Sequence, residues 1–138
     1  MNAAPPRLAA ALDSLHKAGD WVHLGTVGAG SEPHVSPVLM GSGDLCLHFS
    51  ITGAVKKRNL RRDPRACVSV ARQGDLAHVI VWGEMSLAWD ERAQELWERL
   101  MVQAFGPDAL DTRARRLDPG TTVLGVLHPT RFRIYGLG

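Results

Sequence analysis

The 138-residue chain carries 16 Lys and Arg against 14 Asp and Glu, a formal net charge of +2, with 45% apolar and 22% charged residues. These values lie in the globular range, and so small a net charge excludes a polycation built to wrap nucleic acid. The length suits one domain, residues 1–138, with one core; Asp13, His16 and Lys17 interrupt the only signal-like apolar stretch, so a cytoplasmic protein without a membrane span is expected.

Pro5 and Pro6 suit a first helical turn, Leu8, Leu12 and Leu15 recur at i, i+4 and i+7, and Gly19 suits a C-terminal cap. The spacing predicts a helix over about 5–19 that covers the core from outside. Residues 21–27, 34–40 and 44–50, separated by turns at 28–33 and 41–43, read as a three-stranded meander. Pro37 lacks a backbone donor, which puts the second strand at an edge or beside a bulge, where an unpaired gap suits a ligand wall. After Gly53 the pattern turns helical, and Asp63-Pro64 ends that helix before a strand over 65–71. A long strand over 77–89 follows, with Gly83 marking a bend or bulge. Asp90 is the N-cap of a helix running to about Phe105, with Leu96, Leu100 and Trp97 on its inner face. Residues 106–120 are polar and Arg-rich, with no periodicity that assigns an element. Residues 121–128 and 131–135 read as two strands interrupted by Pro129. Six to seven mostly antiparallel strands with two to three helices predict an α+β fold built on a small closed barrel.

The charge is unevenly spread. Lys56, Lys57, Arg58, Arg61, Arg62, Arg65 and Arg72 fall within 56–72 against the single acid Asp63. Taken alone, such a run is most often a solvated face, and a nucleic-acid patch is the next reading. Nucleic-acid binding lacks support from interleaved aromatic platforms or a recognition-helix pattern. Cys46 and Cys67 stand in separate apolar segments and read as core thiols, not as a metal pair or redox dithiol. His34, His48 and His128 share no ligand spacing, so no metal site is expected. No Ser-His-Asp order, carboxylate pair or nucleophilic cysteine setting points to hydrolysis. Trp21, Trp82, Trp89 and Trp97 read as core or subunit-contact residues, with Trp82 also a candidate for facing a substrate.

Five landmarks in order, "GSEPHVSPV", "LCLHFS", "KKRNLRRDPRACVSV", "VWGEMSL" and "HPTRFRIYGLG", resemble the pyridoxamine 5'-phosphate oxidase-like split-barrel flavoproteins. Within them the chain is most similar to the deazaflavin (coenzyme F420) dependent branch, of which a Lys-x-Arg-Asn-Leu-Arg-x-Asp-Pro-Arg block is typical. The resemblance implies a split β-barrel of the FMN-binding type and a homodimer with cofactor grooves at the subunit interface. By position, His34, Ser36, Pro37 and Val38 would line the ring system, and Phe49, Ser50 and Thr52 the ribityl chain. Lys56 and Arg58 match the anion-holding positions, with Lys57 assisting; residues 79–82, including Trp82, and Tyr135 would close the groove from the second subunit. One departure is Ala54, where relatives often carry Ser or Arg; it removes a tail contact for which Lys57 is the compensating candidate.

The chemistry agrees with this placement, since a planar ring with a phosphorylated tail needs a flat strand surface beside a cationic grip. Arg61, Arg62 and Arg65 exceed what one phosphate requires, which favours the deazaflavin with its lactyl and glutamyl tail over FMN. Three readings follow: an F420-dependent reductase acting on an unsaturated or quinone-like small molecule, an FMN-binding oxidase or reductase, and a non-enzymatic module that stores cofactor or binds nucleic acid.

Overall fold

The computed structural model describes residues 4–41, 46–113 and 115–137. Strands β1 (Trp21–Val27), β2 (Pro33–Gly41), β3 (Leu47–Ile51), β4 (Arg65–Ala71), β5 (His78–Ala88) and β6 (Val123–Tyr135) close an antiparallel barrel in the order β1-β2-β3-β6-β5-β4. Among the described residues, four helices decorate it: α1 (Pro6–Leu15), α2 (Ala54–Arg62), α3 (Glu91–Phe105) and the short α4 (Ala109–Arg113). The architecture is the α+β split barrel that the landmarks imply.

Period-two patterning drives the closure. Along β4, Ala66, Val68 and Val70 are buried while Arg65, Ser69 and Ala71 are exposed, and Val79, Val81 and Met85 of β5 face the same interior. Cys67 belongs to the outer set and is only half-buried, so of the two expected core thiols Cys46 alone is in the core; neither cysteine is in a disulfide. Leu8 and Leu12 of α1 are fully buried among the barrel residues Val22, Val38, Phe49 and Val79, so the helix packs into the interior cluster instead of covering it from outside. A second apolar cluster forms outside the barrel, where Leu96, Trp97 and Leu100 of α3 pack on Leu39, Leu124 and Val126. Asp90 caps α3 as its position predicts, its carboxylate accepting from the Ala93 amide at 2.9 Å. Among the tryptophans, Trp97 is buried, whereas Trp21 and Trp89 are largely exposed.

Three local expectations change. The first helix ends at Leu15, and Gly19 is not its cap: its φ of +90° and the 2.5 Å from a would-be Cβ to the Ala104 amide nitrogen show that it lets the chain turn against the end of α3. Pro129 does not divide two strands, because β6 runs unbroken through it and the described residues form six strands, not seven. The register moves from Trp82↔Arg131 to Gly83↔Pro129, so Thr130 is an extra, bulged residue that absorbs the missing proline donor. Residues 106–120 contain α4 and an irregular segment. Part of the predicted 44–50 strand, residues 44–45, lies outside the described residues.

Pro37 behaves as its chemistry requires. Among the described residues, β2 pairs with β1 from Pro33 to Leu39, but with β3 only at Met40 and Gly41. The β3 side of β2 is therefore open along most of the strand, and this is the split in the barrel. No helix among the described residues is long and apolar enough to cross a membrane.

Gly83 sits where a Cβ would lie 2.2 Å from the His128 carbonyl oxygen. Gly83→Ala is expected to lower unfolding stability by about 1–3 kcal/mol, the usual cost of overpacking, read as a reduced midpoint in urea. An unchanged midpoint would mean that the bulge yields freely.

Candidate functional site

The site grows from the junction of β3 and α2. β3 ends at Ile51, Thr52 and Gly53 turn the chain, and α2 starts on Gly53, which is extended and offers no capping side chain. The first helical amides thus lack a side-chain acceptor, which makes the start of α2 electropositive. A Cβ at position 53 would stand 2.9 Å from Lys56 Cε, so the glycine leaves room for the lysine stem to lie back over the helix start.

A cleft of about 210 Å³ opens there, beside the split in the barrel. Pro37 and Val38 of β2, Ser50 of β3, and Thr52 and Lys56 line it, so five of the residues expected at a cofactor site meet in one place. The opposite wall is apolar and belongs to Trp97, Met101 and Phe105 of α3, with Trp21 at the rim. Trp97 Nε1 donates to Ser50 Oγ at 3.1 Å, which fixes the hydroxyl oxygen and leaves its proton available to a ligand. The spacing 97, 101, 105 is a helical stripe visible in the sequence, of which Trp97 alone is expected on the inner face, beside Leu96 and Leu100. Arg115 and Thr122, from the segment between α4 and β6, complete the cleft, and no sequence signal announces Arg115.

The seven cations of the basic segment divide sharply. Lys57 is 5% exposed and its ammonium donates to the carbonyls of Pro119 and Thr121. Arg61 donates to the Pro119 carbonyl at 2.9 Å, and Arg62 to Asn59 Oδ1. Arg65 pairs with Asp63 at 2.7 Å and Arg72 with Asp75 at 2.8 Å. Among the described residues, Lys56 and Arg58 alone of the seven have no hydrogen-bonding or acidic partner. Burial lowers the pKa of the Lys56 ammonium below its ordinary value, with no opposing charge to restore it.

Lys56 and Arg58 do not converge. Two residues on a helix are separated by about 200°, so the pair flanks α2 on different sides. Arg58 lines a separate opening of about 400 Å³ with His34, Pro33 and Glu32. Although larger, that opening includes a carboxylate and lacks the flat apolar wall, so the smaller cleft suits an anionic aromatic ligand better. Lys57, spent on the 119–121 carbonyls, is not directed at the cleft.

The remaining expected residues are dispersed. Phe49 is wholly buried in the barrel core. Along β2 the exposed Val35 and Pro37 alternate with half-buried His34 and Ser36, so Ser36 lies on the other face from Pro37; its Oγ and His34 Nδ1 are buried without a partner among the described residues. Trp82 is on the outer barrel face beneath Arg131, whose guanidinium carbon is 4.2 Å from the ring centroid. Tyr135 stacks on His78 with centroids 4.5 Å apart.

The sequence pattern of pyridoxamine 5'-phosphate oxidase matches residues 8–135 of the chain. No curated protein matches it significantly. Solved structures share its fold. An F420 reductase is 23% identical, with 88% of this chain and 94% of that one covered and a TM-score of 0.69. General stress protein 26 of Bacillus anthracis is 20% identical over 93% of each chain, with a TM-score of 0.65. A pyridoxamine 5'-phosphate oxidase-related, FMN-binding protein of Nostoc punctiforme is 18% identical, covering 94% of this chain and 83% of that one, with a TM-score of 0.64.

The unpaired Lys56 charge has a thermodynamic signature. Its folded pKa lies below the unfolded 10.5, so the unfolded chain binds more protons in that alkaline window and the cost of the charge is full below it, fading as pH rises through it. Ligand-free Lys56→Met is expected to melt higher than the parent at neutral pH, by at most a few degrees, with the gap narrowing toward alkaline pH. A variant that melts lower at neutral pH would show that the ammonium is well satisfied.

Proposed function

Because the chain belongs to the pyridoxamine 5'-phosphate oxidase family, we propose that it is a cytoplasmic oxidoreductase that passes hydride from reduced coenzyme F420 to an unsaturated or quinone-like small molecule. The observation that carries this reading is Lys56: a half-buried ammonium without a partner among the described residues, in a cleft lined by apolar residues of β2 and α3 and by the hydroxyls of Ser50 and Thr52. A partly desolvated cation gains from a counter-charge, which an anionic ligand would supply.

The residues present fit a phosphorylated flavin-type group. Lys56 and the uncapped amides at the start of α2 would hold the phosphate. The Ser50 hydroxyl, with its oxygen fixed by Trp97, would donate to the ribityl chain, and Thr52 lies beside it. Pro37 and Leu39, on one face of β2, offer apolar surface, and the open edge of β2 offers backbone groups to the polar rim of a ring. When bound, the group supplies two-electron hydride chemistry. The protein's own work is to orient the acceptor and keep water away, for which the stripe of Trp97, Met101 and Phe105 is suited.

A second copy of the chain completes the site in this reading. The cleft's 210 Å³ falls below the roughly 300–1,000 Å³ of pockets that enclose a ligand of this size. Cross-strand register aligns Val35, Gly25, Cys67, Trp82 and Arg131 in one row over the outer face, where Val35 is 66% exposed. Such a face suits a homodimer contact through which Trp82 and Tyr135 of the other copy reach the groove. Nucleic acid and membranes are not partners in this account.

FMN is the second reading, and a specific observation favours it. Arg61, Arg62 and Arg65 are engaged within their own chain, which removes the surplus of cations that a glutamyl tail would use. Fluorescence titration of the purified protein with F420 and with FMN, each at two salt concentrations, separates the two. Tighter binding of F420, weakened by salt, is expected; tighter binding of FMN would move the chain to the second reading, and binding of neither would overturn both.

A further inference from the structure

The segment between α4 and β6 has no regular structure from Arg115 to Thr122, yet it is pinned from two helices. Gln94 of α3, 3% exposed, donates through Nε2 to the Arg115 carbonyl at 2.9 Å and accepts from the Leu117 amide at 2.8 Å. Lys57 and Arg61 of α2 take the carbonyls of Pro119 and Thr121, and Leu117 is buried in the α3 cluster. A buried amide and a buried ammonium are costly to desolvate, and both are used on backbone groups of this one stretch. The outcome is a fixed origin for the Arg115 side chain, which lines the same cleft as Lys56 and has no hydrogen-bonding or acidic partner among the described residues. Its neighbour Arg116 is different, being paired with Glu91.

We propose that Arg115 is a second anion-holding residue of the cleft, and that with Lys56 it grips the phosphate group of a phosphorylated ligand. The proposal rests on the cofactor reading above for the identity of that ligand, but not for the anion site itself. The phosphomonoester of FMN carries between one and two negative charges at neutral pH, more than one lysine neutralises, and the single charge of the F420 phosphodiester is followed by the carboxylates of its tail. A guanidinium adds a planar fork that can take two phosphate oxygens at once, which a lysine cannot do. The two cations reach the cleft from different elements, α2 and the pinned segment, so the phosphate position depends on how Gln94, Lys57 and Arg61 hold that segment. Lys57 and Arg61 thereby serve the tail at one remove, through backbone carbonyls and without touching it.

The test compares FMN with riboflavin, which differ by the phosphate alone, and F420 with the deazariboflavin, which lacks the phosphate and the anionic tail beyond it, on the parent protein and Arg115→Gln. The side chain is exposed and the Gln94 contact is to the backbone, so the variant keeps the fold. Affinity for the phosphorylated ligand is expected to fall roughly 10- to 100-fold, the range of one charge-assisted contact, while the phosphate-free form changes less than about twofold. Equal losses for both forms, or no loss for either, would overturn the proposal. If the parent binds no flavin or deazaflavin, the cofactor reading fails and inorganic phosphate becomes the probe. A phosphate-induced rise in melting temperature that is lost in both Arg115→Gln and Lys56→Met upholds the anion site on its own; equal rises in all three proteins overturn it.

Discussion

Among the described residues, strand β2 is paired with β1 from Pro33 to Leu39 but with β3 only at Met40 and Gly41, and the rest of the site depends on that imbalance. A barrel of six strands must close its circuit somewhere, and here β5 and β6 do most of the work by running long and bending at the Gly83 bulge. Their curvature brings β6 onto β3, which ends early and hands the chain to α2. Between the open edge of β2 and the start of α2 there is room for a flat group with a charged end. Pro37 is compatible with this geometry because a residue without an N–H costs little on an unpaired edge.

Electrostatics limits which side chains are free to meet a ligand in the opening. The basic segment from Lys56 to Arg72 looks from its composition like one continuous cationic surface, but most of its charge is engaged locally: on α2 by carbonyls of the 119–121 turn and by Asn59, and beyond it by Asp63 and Asp75. Exposed pairs of this kind add little stability, though they do remove the side chains from ligand duty. What remains for an incoming anion in the cleft is Lys56 and, from a different part of the chain, Arg115. Leaving an ammonium half-buried and unpaired lowers the stability of the ligand-free protein, a familiar compromise where binding is the purpose.

Much of the barrel was legible because strand patterning, the Asp90 cap, the Gly83 bend and the Pro37 edge each follow from local chemistry. Lys56 was legible through its place in the landmark block. The errors arise where a residue's role is decided by a distant neighbour. Gly19 turns against α3 and not at its own helix end, and Pro129 continues a strand because Thr130 bulges opposite β5. Lys57 points at a turn more than sixty residues away. Arg115 lies in a stretch whose shape comes from Gln94 and Lys57, so no periodic signal marks it. The divergence of Lys56 and Arg58 follows from helical geometry alone, and for that pair the 200° separation outweighs their shared charge.

The central claim, that the cleft beside the split holds a cofactor phosphate on Lys56, is tested most directly by the phosphorus NMR resonance of the bound ligand. The account predicts that the resonance of whichever of FMN or F420 binds shifts on complex formation, and that in Lys56→Met at saturating ligand the bound resonance moves back toward its free position. An identical bound resonance in parent and variant would place the phosphate elsewhere and contradict the account.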